Sequence, residues 1–399
     1  MANNNSSVPQ IRFKGFVDDW TQQKLGEVAE FAKGNGYSKG DLISAGTPII
    51  LYGRLYTKYE TEINDVDTFV DMRENSVLSE GGEVIVPSSG ETAEDISRAS
   101  VVAKSGVVLG GDLNIVKPNA TIYPPFLAVT ISNGNQQKEL SRRAQGKSVV
   151  HISNSDLKDV ILQLPCLGEQ TQIGSFFRNL DDIIAATQRK VSGLKQLKAA
   201  YLQQMFPQAG EKVPRVRFGG FSGEWEIKKF DEIADVVMGQ SPDSKNYTDN
   251  SNDHILVQGN ADMKNGRVVP RVWTTQITKT ANKGDLIISV RAPVGDVGKT
   301  DYDIVLGRGV AAVKGNEFIF QTLTHMKLFG YWDRVSSGST FESINSSDLK
   351  GAEILCPTLS EQTAIGKFFH NLDTQITTQS ERAEKLKQLK SAYLQKMFI

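Results

Sequence analysis

Two stretches of the chain carry hydrophobic residues at alternating intervals of four and three positions, a spacing that predicts long helices. The first stretch covers residues 167–206 and the second covers residues 359–398. A four-three alternation is a heptad pattern, which buries one stripe of a helix against a partner helix rather than against a sheet. Lysines interrupt the stripes at matching places, Lys198 and Lys390, as register-fixing positions often do. The predicted seam residues are Ile173, Phe177, Leu180, Ile184, Leu194, Tyr201, Ile365, Phe369, Leu372, Ile376, Leu386 and Tyr393.

The two stretches are copies of each other. Aligned without a gap at an offset of 192 residues, they are identical at 23 of 40 positions, so the chain contains an internal repeat. About 36 residues at roughly 1.5 Å each form a rod of about 54 Å, which needs a partner to be stable. The simplest partner for one helix is the other, and a folded domain between them favours an antiparallel pair. Two separate dimerisation helices are the alternative.

In the segment that precedes each long helix, only the beginning and the end are repeated between the two halves. Residues 8–34 and 213–239 share the pattern V-P-x-x-R-F-x-G-F with a downstream tryptophan, Trp20 or Trp225, and the segments that start at Gly146 and Gly338 both end in D-L-K. We expect the shared aromatic residues to pack in a core. Short helices are predicted after the tryptophans, over 25–31 and 230–236.

The central parts of the two halves, residues 35–145 and 240–337, differ. Both contain short β-branched runs broken by Gly, Pro, Ser and Asn, which predicts short strands joined by sizeable loops. The predicted fold class is therefore α/β (or α+β), with two domains that are each followed by a long helix. The helices pair as an antiparallel coiled coil, in a pseudo-twofold internal repeat. The predicted segments are a first domain (1–166), a central helix (167–206), a hinge (207–212), a second domain (213–358) and a second helix (359–399).

Composition narrows the class of protein. The chain has 399 residues, with 45 basic and 46 acidic side chains and a net charge of −1. This charge argues against a lone, tight nucleic-acid binder but fits a reader whose partners hold the phosphate backbone. Two cysteines, Cys166 and Cys356, are too few for a disulfide framework, and we expect both to be buried thiols. The polar start and the lack of a long apolar run predict a cytoplasmic protein without a membrane span.

Motifs for catalysis are missing. Tyr123-Pro-Pro-Phe lacks the Asn or Asp of an amino-methyltransferase loop, and a turn before a helix explains it. The segment 141–148 resembles a phosphate loop but lacks its first glycine. The four histidines have no metal-ligand spacing. These absences predict a chain without catalytic residues and without a metal site.

The divergent central parts are rich in basic and amide side chains, the types that contact base edges and phosphates. Each one alone is typical of a solvated surface, but together they lie in variable loops on a repeated scaffold. Gln258 and Lys279 belong to the same group. The candidate DNA-binding residues are Arg54, Lys58, Arg98, Lys104, Asn114, Arg142, Arg143, Lys147, Lys245, Asn246, Asn260, Lys264, Arg267, Arg271, Arg291, Arg308 and Arg334.

The paired motifs resemble those of the specificity subunits of type I restriction-modification enzymes along nearly the whole chain. The V-P-x-x-R-F-x-G-F segments, the D-L-K endings and the two E-Q-T helices each occur twice and in the same order. The resemblance implies two target-recognition domains that read the halves of an asymmetric, bipartite DNA sequence. It does not assign the DNA contacts residue by residue, because they lie in the variable regions.

The resemblance also implies partners. Two methyltransferase subunits would dock on the helices and bring S-adenosylmethionine, and restriction subunits would bring ATP and Mg²⁺. This chain itself would bind no cofactor. Two other functions stay open at this point: a non-catalytic scaffold that tethers two ligand-binding domains, and a self-contained DNA methyltransferase.

Overall fold

The computed structural model describes residues 8–146, 149–336 and 342–398. The chain divides into two compact units, of which only the second is contiguous in sequence. The first unit combines Met1–Gln188 with Arg382–Ile399, and the second is Arg189–Glu381. These units cut through both long helices, whereas the predicted segments kept each helix whole.

The first unit is built of short strands and mostly short helices. Its strands are β1 (Thr21–Lys24), β2 (Ala29–Lys33), β3 (Thr47–Ile50), β4 (Glu62–Ile63), β5 (Phe69–Val70), β6 (Glu83–Pro87), β7 (Ser89–Gly90), β8 (Ser100–Val102), β9 (Val108–Leu109), β10 (Leu113–Pro118), β11 (Val150–His151) and β12 (Ile161–Leu164). Its helices are α1 (Leu25–Val28), α2 (Arg54–Thr57), α3 (Ala93–Ile96), α4 (Pro124–Ile131), α5 (Gly134–Arg143), α6 (Asn154–Lys158), the start of α7 (Leu167–Met205) and a 3-10 turn at Lys39–Asp41.

The main sheet of the first unit has the order β2-β10-β6-β8-β4, and its central strands are covered on both faces. Along β6, Val84 and Val86 point into the core that contains the helices, while Ile85 points into a second core on the other face. This period-two alternation explains why β6 reads as an unbroken hydrophobic run. A three-stranded sheet, β5-β3-β9, and the pairs β1-β12 and β11-β7 complete the unit.

The second unit has the same plan with more strands. Its strands are β13 (Glu226–Lys229), β14 (Asp235–Met238), β15 (Tyr247–Thr248), β16 (His254–Val257), β17 (Met263–Lys264), β18 (Arg267–Val268), β19 (Val272–Thr274), β20 (Lys279–Ala281), β21 (Leu286–Ser289), β22 (Val297–Lys299), β23 (Ile304–Leu306), β24 (Val310–Lys314) and β25 (Glu353–Cys356). Its helices are α8 (Glu317–Leu328), α9 (Tyr331–Val335), α10 (Ser346–Lys350), most of α11 (Leu359–Met397) and 3-10 turns at Phe230–Glu232, Ser244–Asn246 and Asn260–Asp262.

The sheets of the second unit repeat the two-core arrangement. The six-stranded sheet has the order β14-β24-β21-β22-β18-β17, and the five-stranded sheet has the order β15-β19-β16-β23-β20. In β21, Leu286 and Ile288 lie in the core next to the helices, and Ile287 lies in the opposite one. The fold class predicted from the sequence, mixed α/β with two similar halves, is confirmed.

The short helices predicted after the tryptophans are mostly wrong. In the first unit a single turn, α1, gives way to the strand β2, and in the second a 3-10 turn precedes β14. The tertiary reason is that β2 and β14 each form an edge strand on a main sheet, beside β10 and β24. Sheet pairing therefore overrides a weak local preference for helix.

Aromatic residues join the long helices to the sheets within each unit. In the first unit, Phe398 packs against Trp20, Phe126 and Phe177 at centroid distances of 6.4, 6.0 and 5.9 Å. Part of the predicted seam thus packs against a domain as well as against a helix, because Phe177 shares one core with Phe126 of α4.

The second unit has an equivalent aromatic cluster. Phe206 contacts Trp225, Phe318 and Phe369 at 5.9, 5.6 and 6.2 Å. The expectation that the shared aromatics pack in cores therefore agrees with the structure, since Trp20 and Trp225 are 4% and 2% exposed.

The two long helices run antiparallel inside each unit. In the first unit, Phe176 contacts Tyr393 at 5.1 Å and Asp181 binds Lys390, so residue numbers rise on one helix as they fall on the other. In the second unit, Phe368 contacts Tyr201 at 4.9 Å and Asp373 binds Lys198. These contacts lie within one chain, as an intramolecular pair requires, and do not need separate dimerisation helices.

Burial follows the predicted seam. Seven of its twelve residues are at most 8% exposed, and the other five, Leu194, Tyr201, Ile376, Leu386 and Tyr393, are half-buried. The cysteine expectation is half wrong, because Cys356 is buried but Cys166, just before α7, is exposed. Burial raises the pKa of the Cys356 thiol.

A charge placed in the seam should destabilise the first unit. Ile184 is 8% exposed while its neighbour Ile183 is 45% exposed, so the two positions form a matched pair. We expect Ile184→Glu to lower the free energy of unfolding by roughly 3–5 kcal/mol, because it leaves an unpaired buried charge. Ile183→Glu should change it by less than about 0.5 kcal/mol. Denaturant titration followed by circular dichroism measures both, and equal losses would contradict the buried seam.

Candidate nucleic-acid interface

The central strands of each main sheet run into loops that are held in the same way in both units. In the first unit, Leu113 of β10 is paired with Pro87 of β6, and just beyond this pair Ser88 N–H donates to Asp112 O at 2.8 Å. In the second, Ser289↔Val310 continues with Val290 N–H donating to Gly309 O at 2.9 Å. One residue further on, Ser89 pairs with His151. Its counterpart, Arg291, forms a bridge with Ser343.

Glycines bring these loops into close contact. A Cβ atom on Gly34 would lie 1.9 Å from Gly110 O, and one on Gly239 would lie 2.1 Å from Gly307 O. No side chain fits at that distance, so only glycine is possible at either place. The neighbouring backbone bonds also correspond, from Asn35 N–H to Leu109 O at 3.1 Å and from Gln240 N–H to Leu306 O at 2.9 Å.

We call these the first and second loop clusters. The first loop cluster comprises residues 34–36, 88–91, 110–112, 145–146 and 149–151. The second loop cluster comprises residues 239–241, 258–260, 290–293, 307–309 and 342–343. Their backbones are held alike, and their exposed side chains differ.

The first loop cluster lines one side of a polar cavity of about 430 Å³, whose other side is formed by Lys33 and residues from the segment 152–156. His151 Nδ1 lies 3.2 Å from Ser89 Oγ, and Ser88 Oγ donates to Asp112 Oδ1 at 3.4 Å. Gln145 also lines the cavity. Hydroxyl, amide, imidazole and carboxylate groups of this kind can donate to and accept from base edges.

The second loop cluster is cationic. Arg291 and Arg308 are exposed, and neither forms an ion pair within the part of the chain that the structure describes. Gln240 is exposed beside them, and Gln258 donates from Nε2 to Tyr247 Oη at 2.9 Å. The two clusters therefore offer different chemistry from similar frames.

Most of the predicted DNA-binding residues have partners inside the protein. Arg54 is 9% exposed and binds both Glu60 and Asp67 at 2.7 Å. Asn114 is fully buried, and its amide donates to Ile152 O at 2.9 Å. Arg54 and Asn114 therefore lie outside the candidate interface, because both are buried in structural contacts. Hydrogen bonds from Lys58 and then Arg54 lower the pKa of Asp67 to about 2.

Other candidates are exposed or half-exposed but paired. Their partners are acidic residues nearby in sequence or in an adjacent loop, or in one case an amide. Where both side chains are exposed, such pairs are weak enough to be exchanged for a phosphate. The pairs are Lys58–Asp67, Arg98–Asp95, Lys104–Asp65, Arg143–Glu139, Lys245–Asp243, Arg267–Asp301, Arg271–Asp262 and Asn246–Gln276. The pair Arg271–Asp262 differs, because Asp262 is 2% exposed and would be left as a buried charge without this partner.

A smaller group stays free. Arg142, Lys264, Arg291, Arg308 and Arg334 are exposed and form no ion pair among the described residues. Asn260 lines a different cavity, and Lys147 lies outside the described residues. The structure thus places Arg291 and Arg308 in the second loop cluster and the other free cations elsewhere on the chain.

Sequence reasoning missed several side chains of the loop clusters. Ser89, His151, Gln145 and Gln240 stood outside the candidate set because three of them are uncharged and His151 had no metal-ligand neighbours. Their position in the repeat could have identified some of them. Gln240 follows Gly239 and the end of β14, just as Asn35 follows Gly34 and the end of β2.

The repeated arginine of V-P-x-x-R-F has a structural role in both units. Arg12 binds Glu169 at 2.7 and 2.8 Å, and Arg217 binds Glu361 twice at 2.7 Å. The glutamate side chains are 0% and 1% exposed. Hydrogen bonds to these carboxylates raise the pKa of both arginines. Each pair holds an N-terminal segment on the first turn of a long helix.

The lysines that interrupt the seam also form paired contacts. Lys390 donates to Asp181 at 2.5 Å in the first unit, and Asp181 also accepts from Thr61 at 2.7 Å. The Asp181 carboxylate therefore joins both long helices to Thr61, which lies in the sheet-bearing part of the same unit. We call this site and its counterpart in the second unit the carboxylate clamps.

The clamp of the second unit has the same geometry. Lys198 donates to Asp373 at 2.6 and 2.9 Å, and Asp373 also accepts from Gln321 at 2.8 Å. A cavity of about 690 Å³ lies beside it. Among the cations that line this cavity, Lys299 binds Glu317 at 2.5 Å and Arg267 binds Asp301 at 2.7 Å.

Among the described residues, no group of three or more histidine, cysteine, aspartate or glutamate side chains could hold a metal ion. None of the described helices is both long and apolar enough to cross a membrane.

The sequence matches the profile of the type I restriction modification DNA specificity domain twice, over residues 17–196 and 222–388. Two proteins of Methanocaldococcus jannaschii are similar over most of their length. The one named "Putative type I restriction enzyme MjaX specificity subunit" is 25% identical over 399 residues, which cover 94% of this chain and 91% of that protein. The MjaVIII specificity subunit is 18% identical over 395 residues, with 94% and 90% covered.

Solved structures show the same fold. The type I restriction-modification system S subunit from M. genitalium superposes with a TM-score of 0.68 at 13% identity, covering 98% of this chain and 99% of that one. A chain from a structure of the assembly of a type I restriction-modification system superposes with a TM-score of 0.54 at 23% identity, covering 96% and 98%.

The carboxylate clamp of the second unit should show strong coupling in a double-mutant cycle. Lys198→Met and Asp373→Leu should each lower the free energy of unfolding by about 1–3 kcal/mol, since each leaves a half-buried charge without its main partner. The double variant should lose less than the sum of the two, by about 1 kcal/mol or more. The exposed pair Lys228–Glu226 is the control and should show almost no coupling. Additive losses at Lys198 and Asp373 would contradict the clamp.

Proposed function

Because the chain belongs to the family of type I restriction-modification DNA specificity domains, we propose that it reads an asymmetric, bipartite DNA sequence, one half with each unit. The observation that carries this proposal is the relation between the loop clusters. Their backbones are held by equivalent hydrogen bonds and glycine contacts, while their exposed side chains are unlike. A repeated frame with different contents suits two related domains that read different half-sites.

The chemistry of the loop clusters supports reading of base edges. Arginine, glutamine, asparagine and serine are the side chains that discriminate bases in the major groove. The first loop cluster offers neutral donors and acceptors around Ser89 and His151, and the second offers Arg291 and Arg308. The two half-sites should therefore differ in sequence.

The overall charge fits a reader that works within a complex. With 45 basic and 46 acidic side chains, the chain has no cationic surplus to hold a long stretch of phosphates. Partner subunits would supply those contacts, and this chain would supply the sequence preference.

Exposed leucines on the long helices suit a partner that docks twice. Leu197 and Leu389 occupy equivalent positions in the repeat and are 44% and 45% exposed, and Leu167 and Leu359 are 46% and 71% exposed. Equivalent apolar positions in both halves favour two copies of one subunit, which we assign as the methyltransferase subunit. Restriction subunits would join that complex.

The chemistry of modification and cleavage would belong to the partners. In this proposal the methyltransferase subunits bring S-adenosylmethionine, the restriction subunits bring ATP and Mg²⁺, and this chain binds none of them. Its own residues orient the DNA and hold the partners, which requires no catalytic side chain.

Adenine methylation in cells tests the function as a whole. The chain is co-expressed with the methyltransferase subunit of its own operon, and host DNA is sequenced for methylated adenines. We expect one split motif with unlike halves and a fixed gap. A soluble complex that adds no methylation would favour a scaffold that tethers two domains, and methylation by the chain alone would identify a self-contained methyltransferase.

Exchange of one loop-bearing region tests whether the units read independently. Residues 35–145 are replaced by the corresponding region of another family member, and the methylated motif is determined again. One half of the motif should change, and the other half should stay the same. The reciprocal exchange of residues 240–337 is the control, and a change of both halves by either exchange would refute independent reading.

A further inference from the structure

Two exposed arginines, Arg291 and Arg308, lie in loops next to the paired ends of the central strands β21 and β24 of the second unit. In the antiparallel register of β21 and β24, Ser289 lies opposite Val310 and Val290 lies opposite Gly309. The next positions are Arg291 and Arg308. Arg291 instead forms a bridge with Ser343, and Arg308 lies in the turn that the bond from Val310 N–H to Gly307 O closes. No acidic side chain among the described residues forms an ion pair with either arginine. Two unpaired cations in one loop cluster favour a ligand that carries hydrogen-bond acceptors.

The backbone around both arginines is fixed. Arg308 N–H donates to Ser241 Oγ at 3.0 Å, and the flanking Gly307 N–H donates to Val257 O at 2.7 Å. After Arg291, Ala292 N–H donates to Glu342 O at 3.0 Å. The backbone at both positions is therefore fixed, while neither guanidinium group forms a hydrogen bond or ion pair among the described residues. A ligand would have to order two side chains but no backbone.

The first unit cannot offer the same pair. Its equivalent positions are Ser89 and Gly111. A Cβ atom on Gly111 would lie 2.9 Å from Gly36 O, so that position does not accept a long side chain without a shift of backbone. The two arginines are therefore particular to the second unit and not part of the shared frame.

The geometry points to Arg291 and Arg308 as the residues that recognise guanine in the half-site read by the second unit. This inference rests on the proposed function and assigns the chemistry of one half of the target. The planar guanidinium fork matches the O6 and N7 acceptors of guanine in the major groove, which is the commonest specific contact between a side chain and a base. Both positions carry arginine rather than lysine, and only arginine binds these two acceptors through a rigid fork.

Two glutamines of the second loop cluster are also suited to contact bases. Gln240 is exposed one residue before Ser241, and Gln258 is held by Tyr247 at 2.9 Å. These amides could contact adenine or a second base beside the guanines. Glu342 is exposed nearby and is the acidic residue whose backbone contacts this strand.

The test uses the complex of this chain with the methyltransferase subunit of its operon. Competition binding is measured on duplexes that carry the methylated motif, with the base pairs of each half-site replaced one at a time. For the wild-type complex, replacing a recognised guanine in the second half-site should weaken binding about 5- to 100-fold.

The variants Arg291→Lys and Arg308→Lys keep the charge and remove the fork. Each should reduce the discrimination at one guanine, because lysine reaches the same acceptors without the planar fork. The discrimination at the first half-site should stay unchanged, which reports that the complex is folded. Arg215→Gln removes an exposed cation outside the loop clusters and should leave all preferences as they are. The glutamine variants at 291 and 308 remove the charge as well and should behave alike at the guanines.

Three results would overturn the inference. A second half-site without a G·C pair would exclude guanine recognition. An equal loss of affinity for all duplexes would assign the arginines to phosphates, since phosphate contacts carry no sequence information. A wild-type complex with no preference at any position would refute the proposed function itself, and this outcome differs from the other two because the first half-site would then also show no discrimination.

Discussion

Each unit depends on an aromatic residue that arrives from the far end of a long helix. Phe398 completes the core around Trp20 and Phe126, and Phe206 completes the core around Trp225 and Phe318. These contacts can form only when the helices lie antiparallel inside each unit. The buried arginine–glutamate pairs and the carboxylate clamps add polar contacts, which are directional and therefore specify register better than apolar packing does.

The division between frame and loops has a physical basis in the sheets. The residues of β6 and β21 alternate between two cores, so nearly every side chain of these strands is buried and few substitutions are neutral. The loops that follow are fixed through backbone hydrogen bonds and glycine contacts. The side chains of these loops can therefore differ between the units, and Ser89 of the first unit occupies the position equivalent to Arg291 of the second.

The sequence was sufficient for the features that repeat with a period. The heptad stripes predicted both helices, and the repeat predicted their antiparallel pairing. The prediction of short helices after the tryptophans was mostly wrong, because β2 and β14 pair with strands that are distant in sequence. The site residues were less predictable, because a basic residue looks the same in sequence whether it is buried, like Arg54, or exposed, like Arg308. The difference lies in Glu60 and Asp67, whose contacts depend on the folded loop.

The discontinuous make-up of the first unit affects how the chain folds during synthesis. Residues 189–381 leave the ribosome before residues 382–398, so the second unit has all its parts first. The sequence of the first unit begins earlier, but its core is incomplete until Tyr393 and Phe398 have been synthesised. Until then, the apolar surface around Trp20 and Phe177 is exposed. Domains usually fold in the order of their synthesis. Here the order of completion is reversed, and a growing chain must keep its first half from aggregating until the closing residues emerge.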